Sequence, residues 1–224
     1  MAIKPRRIRL PDKTSISALW LKPSGAKASL VLAHGAGAGM THKAMEATAE
    51  GLAERGVATL RFNFPYMERG SKRPDSPAIA HSAIRAAVAE ASKLAPGLPL
   101  FAGGRSFGGR MTSQAQALEP LPGVSGLVFF AWPLHLAGKP GVERAAHLSD
   151  VKIPMLFLSG SRDPLAELDL LKPTVKKLGA KAKLVLAADA DHSFHVPAKT
   201  GRKDPEVFAE LLDAARDWML KRAG

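Results

Sequence analysis

Short apolar runs alternate along the chain with longer stretches in which apolar residues recur at helical spacing. Continuous apolar runs, such as residues 29–33, are typical of parallel strands that are buried on both faces. The first two runs instead alternate apolar with polar residues, as in an antiparallel pair at a sheet edge. Eight strands are predicted, at residues 8–10, 15–21, 29–33, 57–64, 98–103, 124–131, 153–159 and 183–187.

Helices are predicted between most of these strands, at residues 45–55, 78–94 and 106–118, and from residue 204 onward. Gly56 follows the first helix as a C-cap, and Asp204 and Pro205 begin the last one as N-cap and first-turn proline. The last helix carries an apolar stripe at helical spacing, which consists of Phe208, Leu211, Leu212, Ala215 and Met219.

This alternation predicts the α/β class, with a mostly parallel central sheet of about eight strands and helices on both faces. The chain has 224 residues and no internal repeat or linker, so we expect residues 1–224 to form a single domain. Residues 66–77 contain prolines and polar residues and are expected to form a loop. The main insertion, residues 132–150, has room for at most a helix and a turn.

The most informative motif lies where a predicted strand meets a predicted helix. Residues 104–108 read Gly-Arg-Ser-Phe-Gly, which matches the pattern G-x-S-x-G. In that pattern the serine lies on a sharp strand-to-helix turn and its hydroxyl is exposed at the edge of the sheet. The flanking glycines are needed because a Cβ there would collide with the strained turn. Ser106 is therefore the candidate nucleophile.

An acid and a base follow Ser106 in the order Ser, Asp, His, which is the order found in α/β-hydrolases. Asp163 and His192 each come after an apolar strand, and residues beyond the carboxyl ends of parallel strands gather at one edge of a sheet. Asp189 and Asp191 are rival acids. Asp191 adjoins His192 in sequence, and adjacent side chains seldom point at each other, so Asp163 is preferred.

A glycine-rich segment, residues 34–39 (His-Gly-Ala-Gly-Ala-Gly), follows the third predicted strand. We call it the glycine loop. Such a loop supplies one backbone N–H of an oxyanion hole, and the residue after the nucleophile supplies the other, which indicates Ala36 and Phe107. The spacing fits neither a phosphate-binding loop nor a dinucleotide fingerprint. His34 is expected to orient the loop without transferring a proton.

Several further side chains are candidates for a substrate pocket. Arg105 and Arg110 flank the motif and would favour an anionic substrate if either faced the site, although a salt bridge or a solvated helix face is the simpler interpretation. Trp132 follows the sixth strand at the same sheet edge and would wall the pocket or belong to the core. Tyr66 and Phe194 are similar candidates.

The formal net charge of +12 raises the question of an anionic partner. Basic residues occur as scattered doublets without interleaved aromatic residues, so we expect no nucleic-acid binding. No run is apolar enough for a membrane helix, and the first residues do not resemble a secretory signal. The chain lacks cysteine, which suits a cytoplasmic location. The oligomeric state is left open.

We expect no cofactor and no metal. Four residues on one segment, Asp189, Asp191, His192 and His195, would suggest a metal site, but no other ligand cluster supports it.

Over its whole length the chain resembles the α/β-hydrolases, and in particular the small, lidless members related to dienelactone hydrolases. It is most similar to the poorly characterised family of the testis-expressed protein 30 type. The matching segments are LAHGAG (32–37), RFNFPY (61–66), GGRSFGG (103–109), WPLH (132–135) and SGSRDP (159–164). The resemblance implies Ser106, Asp163 and His192 as a catalytic triad. It implies no substrate, because the members of this family have no settled one. Dienelactone hydrolase itself has a cysteine nucleophile where this chain has Ser106, so the substrate of that enzyme is not carried over.

The sequence therefore predicts a serine hydrolase that cleaves small esters or thioesters through an acyl-enzyme. Two alternatives remain open. One is a non-catalytic scaffold that binds a partner or ligand, since a fold does not fix a function. The other is a peptidase or amidase for short peptides, because the same machinery cleaves both bonds.

Overall fold

The computed structural model describes residues 2–222 and contains one eight-stranded sheet. The strands lie in the spatial order β1-β2-β4-β3-β5-β6-β7-β8. Only β2 runs against the others, because it pairs antiparallel with both β1 and β4. The strands are β1 (Ile3–Arg9), β2 (Ser15–Leu21), β3 (Ala28–Ala33), β4 (Val57–Phe62), β5 (Leu100–Arg105), β6 (Val124–Phe130), β7 (Met155–Gly160) and β8 (Ala182–Ala187).

Helices cover both faces of this sheet, as predicted. They are α1 (Lys43–Glu54), α2 (Pro65–Glu68), α3 (Pro77–Leu94), α4 (Phe107–Leu118), α5 (Leu168–Lys177) and α6 (Asp204–Leu220), with short 3₁₀ helices at Glu143–Asp150, Gly179–Lys181 and Ala198–Thr200. Helices α3, α4 and α5 contribute to one apolar cluster, and α1 and α6 to the other. The predicted α/β architecture, with a mostly parallel central sheet of eight strands, is thereby confirmed.

The continuous apolar runs form the centre of the sheet for the expected reason. Every residue of β3 is buried, and successive side chains enter opposite clusters. Val31 and Ala33 pack under α3 and α4, whereas Leu30 and Leu32 pack under α1 and α6. Because both faces of the strand need apolar side chains, the sequence shows no alternation there.

Three elements, β1, α5 and α2, differ from the sequence prediction. Strand β1 begins at Ile3 and not at residue 8, because an exposed edge strand is held by its backbone pairing with β2 and needs little apolar side-chain area. Helix α5 was not predicted. It contains Pro173 in its interior, which normally indicates a break, and it buries only Leu171 and Val175. The predicted loop at residues 66–77 also begins with the single turn α2.

The start of α6 corrects the role expected for Asp204. The structure places Lys203 at the N-cap position, and the side chain of Glu206 accepts the N–H of Lys203 at 3.1 Å. The Asp204 carboxylate instead accepts the N–H of Val196 at 2.9 Å and contacts the ring of His195. Asp204 therefore ties the preceding loop to the helix.

Candidate active site

Ser106 lies between β5 and α4 in a strained backbone conformation, with φ of 49° and ψ of −116°. Its N–H donates to the carbonyl of Phe130 at the end of β6, at 3.0 Å, and its own carbonyl accepts the N–H of Arg110 at 3.1 Å. A left-handed φ is unfavourable for a residue with a side chain and persists only where the surrounding structure imposes it. These bonds to the sheet and the helix fix the turn.

The glycines of the motif are required by close packing against β3. A Cβ on Gly104 would collide with the carbonyl of Ala33, and a Cβ on Gly108 would collide with the carbonyls of Ala33 and His34. Backbone atoms cannot move aside as a flexible side chain can. Helix α4 can therefore start directly beneath the end of β3 only because these positions lack a side chain.

Three polar side chains meet at the carboxyl edge of the sheet. The Nε2 atom of His192 lies 2.9 Å from Oγ of Ser106, and its Nδ1 atom lies 2.8 Å from Oδ2 of Asp163. The Asp163 side chain is fully buried, whereas that of His192 is 22% exposed. Because a carboxylate only accepts, Nδ1 carries the ring proton and Nε2 is left to accept the hydroxyl proton of Ser106.

The loops that carry Asp163 and His192 are joined to each other. The second oxygen of Asp163 accepts the N–H of Leu165 at 2.8 Å, and the N–H of Arg162 donates to the carbonyl of Ala190 at 2.8 Å. A Cβ on Gly160 would collide with the carbonyl of Ala190, so the two loops approach closely at that glycine. The carboxylate is held in position before any substrate binds.

The two rival acids occupy other positions. Oδ1 of Asp191 accepts the backbone N–H groups of Ser193 and His195 at 2.7 and 3.0 Å, so its carboxylate holds the turn around His192. Asp189 has a positive φ of 57° in the preceding turn, and its N–H donates to Ser161. Neither hydrogen-bonds to the His192 ring in the described part of the chain.

The glycine loop lies beside Ser106 and is held in place by hydrogen bonds of His34 and Tyr66. His34 is fully buried; its Nε2 accepts the N–H of Phe64 at 3.1 Å, and its Nδ1 lies 2.7 Å from the carbonyl of Gly35. Since the backbone N–H can only donate, the His34 ring is neutral with its proton on Nδ1. Burial lowers the pKa of His34 to about 4. The hydroxyl of Tyr66 accepts the N–H of Gly37 at 3.0 Å.

The backbone N–H groups of Ala36 and Phe107 are free to receive an oxygen. Ala36 is exposed at the tip of the glycine loop, and Phe107 is the first residue of α4, where helical N–H groups have no partner within the helix. Ser106 and both of these residues line one cavity, and the volume of this cavity is about 410 Å³. Within residues 2–222 neither N–H donates to a protein acceptor.

The cavity beside Ser106 is walled by residues from five parts of the chain. They are Ala36 of the glycine loop, Pro74, Asp75 and Pro77 before and at the start of α3, Phe107, Arg110 and Met111 of α4, Pro133, Leu136 and Arg144 between β6 and β7, and Leu165 after β7. A volume of this size suits a small molecule and not a long chain. Arg144 belongs to no motif and lies in the 3₁₀ helix between β6 and β7, so no sequence signal points to it.

The four suggested pocket residues lie elsewhere. Trp132 is buried and donates to Oγ of Ser113, and buried Tyr66 supports the glycine loop. The guanidinium of Arg105 stacks 5.2 Å from the ring centre of Phe194 and donates to the carbonyl of His192 at 3.1 Å. Arg105 and Phe194 line a second cavity, of about 290 Å³, with residues of α1 and α6.

The described residues offer neither a metal centre nor a membrane-spanning helix. Among residues 2–222 no group of three or more His, Asp or Glu side chains is placed to hold a metal ion. In the same range no helix has the length and apolar character that crossing a membrane requires.

Comparison with known proteins supports the fold. A family model described as "Alpha/beta hydrolase domain" matches residues 26–220. Among solved structures, a dienelactone hydrolase from Anabaena variabilis superposes with a TM-score of 0.79 at 20% identity, covering 100% of this chain and 99% of its own. An α/β serine hydrolase homologue from Coxiella burnetii gives 0.74 at 20% identity, with 100% and 99% covered.

A third similar structure comes from Xanthomonas campestris and is described as an α/β serine hydrolase without lid. It gives a TM-score of 0.75 at 21% identity, with 97% of this chain and 95% of that chain covered. At these identities the likeness concerns the fold.

Proposed function

This chain belongs to the alpha/beta hydrolase domain family, whose model matches most of its length, and we propose that it is a serine hydrolase that cleaves small esters or thioesters. One observation carries the proposal: Asp163, His192 and Ser106 form a continuous line of hydrogen bonds of 2.8 and 2.9 Å that ends on a strained serine. This arrangement performs nucleophilic acyl transfer on several unrelated folds.

In the proposed mechanism His192 takes the hydroxyl proton as Ser106 Oγ attacks the carbonyl carbon. Asp163, fully buried, stabilises the imidazolium that forms and keeps Nδ1 protonated. The N–H groups of Ala36 and Phe107 receive the negative oxygen of the tetrahedral intermediate. His192 returns the proton to the leaving group, and the acyl group stays on Ser106 until water, activated by His192, releases it.

The oxyanion donors are the largest expected contribution after the nucleophile. Each pre-aimed backbone donor typically supplies about 100- to 1,000-fold in rate, because it needs no reorganisation when charge develops. The donor on Ala36 depends on the glycine loop, which His34 and Tyr66 hold against the end of β4 and the start of α2. We assign these two side chains a positioning role.

The substrate should be small. The cavity beside Ser106 is about 410 Å³. Between β6 and β7 the chain forms only the 3₁₀ helix Glu143–Asp150, which gives no large apolar cover of the kind that encloses long acyl chains.

The test is covalent labelling of the purified protein with a fluorophosphonate, read by intact mass. A single adduct is expected, and it should disappear in Ser106→Ala and His192→Ala. Ser193→Ala is the matched control, since Ser193 is exposed beside His192 and its hydroxyl makes no hydrogen bond among the described residues; it should label like the wild type. A folded wild-type protein that takes no adduct would contradict the proposal and favour the scaffold alternative.

Cleavage rates of an ester, a thioester and an amide with the same acyl group then show which type of bond the protein hydrolyses. We expect the ester and thioester to be cleaved faster than the amide. The cytoplasmic location, the absence of a nucleic-acid partner and the relation to the testis-expressed protein 30 type remain predictions from the sequence.

A further inference from the structure

Two arginines line the cavity that contains Ser106. Arg110 lies on α4 one turn after Ser106, and its N–H donates to the Ser106 carbonyl, so both side chains project from the same side of the helix. Arg144 comes from the 3₁₀ helix between β6 and β7, and its guanidinium donates to the carbonyl of His135 at 3.2 Å. Both residues are half-buried. The cavity is therefore bounded by two positively charged residues.

Neither charge is balanced by the protein. In the described part of the chain no carboxylate forms an ion pair with Arg110 or Arg144. The one acid that lines the cavity is Asp75, whose side chain is 2% exposed and is already held by the guanidinium of Arg69 and the N–H of Tyr66. Burial makes an unpaired charge costly, so an anion from outside that paired with these two arginines would be stabilised.

The surroundings of Arg110 strengthen this point. Burial and the neighbouring charge of Arg144 lower the pKa of Arg110 from its ordinary value. His147, which contacts Ser113 on α4 at 2.8 Å, has its pKa lowered to about 4 by burial and by Arg110, so it is neutral at neutral pH. The energetic cost of holding two guanidinium groups near each other falls when a carboxylate lies between them.

We propose that the acyl group of the substrate carries a carboxylate, which Arg110 and Arg144 bind while Ser106 attacks the ester or thioester carbonyl. This inference rests on the proposed hydrolase function and names its substrate class: half-esters of short dicarboxylic acids. The planar guanidinium groups match a carboxylate with two parallel hydrogen bonds each, which fixes the substrate as well as attracting it.

The carboxylate belongs to the acyl part because of the position of His192. A leaving group must lie next to His192 to receive its proton. His192 does not line the cavity of Arg110 and Arg144, whereas Ser106 and both oxyanion donors do. The cavity is therefore the space on the acyl side of the carbonyl carbon.

The reaction balances without a further reagent. Ser106 Oγ forms a bond to the carbonyl carbon, and the bond from that carbon to the alcohol oxygen or thiol sulfur breaks. The leaving group takes the proton that His192 had removed from Ser106. Water then hydrolyses the acyl-enzyme, and the products are the alcohol or thiol and a free dicarboxylate.

The experiment compares two methyl esters of equal length. Monomethyl glutarate carries a carboxylate where methyl pentanoate has a methyl group. We expect kcat/KM of the wild type to be about 10- to 100-fold higher for monomethyl glutarate, the range typical of hydrogen bonds to charged groups. A second pair, butyryloxyacetate and ethyl butyrate, differs by the same carboxylate on the leaving group, and there we expect no preference for the anion.

Variants assign the effect to the two arginines. Arg110→Gln and Arg144→Gln should each lower kcat/KM for monomethyl glutarate about tenfold or more and change that for methyl pentanoate less than about threefold. Arg73→Gln is the control for the loss of one positive charge, because Arg73 is exposed on the loop beside the cavity and does not line it. If Arg110→Gln fails to fold, the kinetics of Arg144→Gln alone test the proposed carboxylate site.

Three outcomes would overturn the inference: equal rates for the two methyl esters, a preference confined to the leaving-group pair, or an equal loss on both substrates in the arginine variants. Labelling of Ser106 separates this from a failure of the proposed function. A wild type that takes the fluorophosphonate but shows no preference refutes only the carboxylate site, whereas an unlabelled wild type refutes the hydrolase itself.

Discussion

His34 provides a sharp test of the structure, because a buried neutral imidazole must make stability depend on pH. Its ring is fully buried and accepts the N–H of Phe64 at 3.1 Å. A proton on Nε2 would bring two donors face to face and leave a charge in the core. The pKa of His34 is accordingly lowered from 6.5 to about 4.

The pH dependence of the free energy of unfolding follows from the difference in proton binding between the native and unfolded states. Between pH 6.5 and about 4 the unfolded chain binds a proton at His34 and the native protein does not. The free energy of unfolding therefore falls as the pH falls through this window. The contribution of His34 should drop by about 2 kcal/mol between pH 7 and pH 5, and by about 3 kcal/mol by pH 4.

The assay is urea denaturation of the wild type and of His34→Gln at pH 7 and pH 5. Glutamine offers an acceptor to Phe64 and a donor to Gly35 but takes up no proton. Other titrating groups are common to both proteins and cancel in the difference. We expect the wild type to lose about 2 kcal/mol more than the variant, and NMR of the wild type at pH 5 to show a neutral ring protonated on Nδ1. Parallel losses, within about 0.5 kcal/mol, would refute the reasoning.

Three further changes test the site. Asp163→Asn should lower kcat about 10⁴-fold by disturbing the His192 tautomer, while Asp191→Asn, which can still accept its backbone bonds, should change it only a few-fold; similar losses in both would contradict the assignment of the acid. Gly108→Ala should destabilise the fold by about 3 kcal/mol in thermal melts, against about 1 kcal/mol for Gly123→Ala, which has open space and only an unfavourable φ. Tyr66→Phe removes the acceptor that holds the glycine loop, so kcat should fall about tenfold with little change in KM; a change in KM alone would refute the positioning role.

The sequence predicted best what depends on backbone geometry. Ser106 could be located because a strained strand-to-helix turn needs glycines on both sides, and Asp163 and His192 because each follows a strand of a parallel sheet. These positions depend on chain order and turn chemistry. The strand β1 and the helix α5 were missed in part or whole because their stability comes from backbone pairing and tertiary packing, which leave a weak apolar pattern.

The cavity could not be predicted in the same way, because its walls depend on the direction of individual side chains. Arg105 and Arg110 flank the same motif, yet Arg105 turns toward Phe194 and Arg110 lines the space beside Ser106. The two side chains point in different directions because they belong to different elements. Arg110 lies in α4, one helical turn beyond Ser106, whereas Arg105 is the last residue of the strand β5. Arg144 reaches the cavity of Arg110 only through the fold of the segment between β6 and β7.

The close packing at the end of β3 affects both the stability of the fold and the geometry of the candidate site. The carbonyl of Ala33 lies so close to Gly104 and Gly108 that neither position has room for a side chain. The same close approach brings the glycine loop beside the strained turn of Ser106, since that loop begins at His34, directly after Ala33. Substitutions that relieve the strain at Ser106 by loosening this packing would also move Ala36 away from its proposed position beside the oxyanion. A more stable variant obtained in this way should therefore be a slower enzyme.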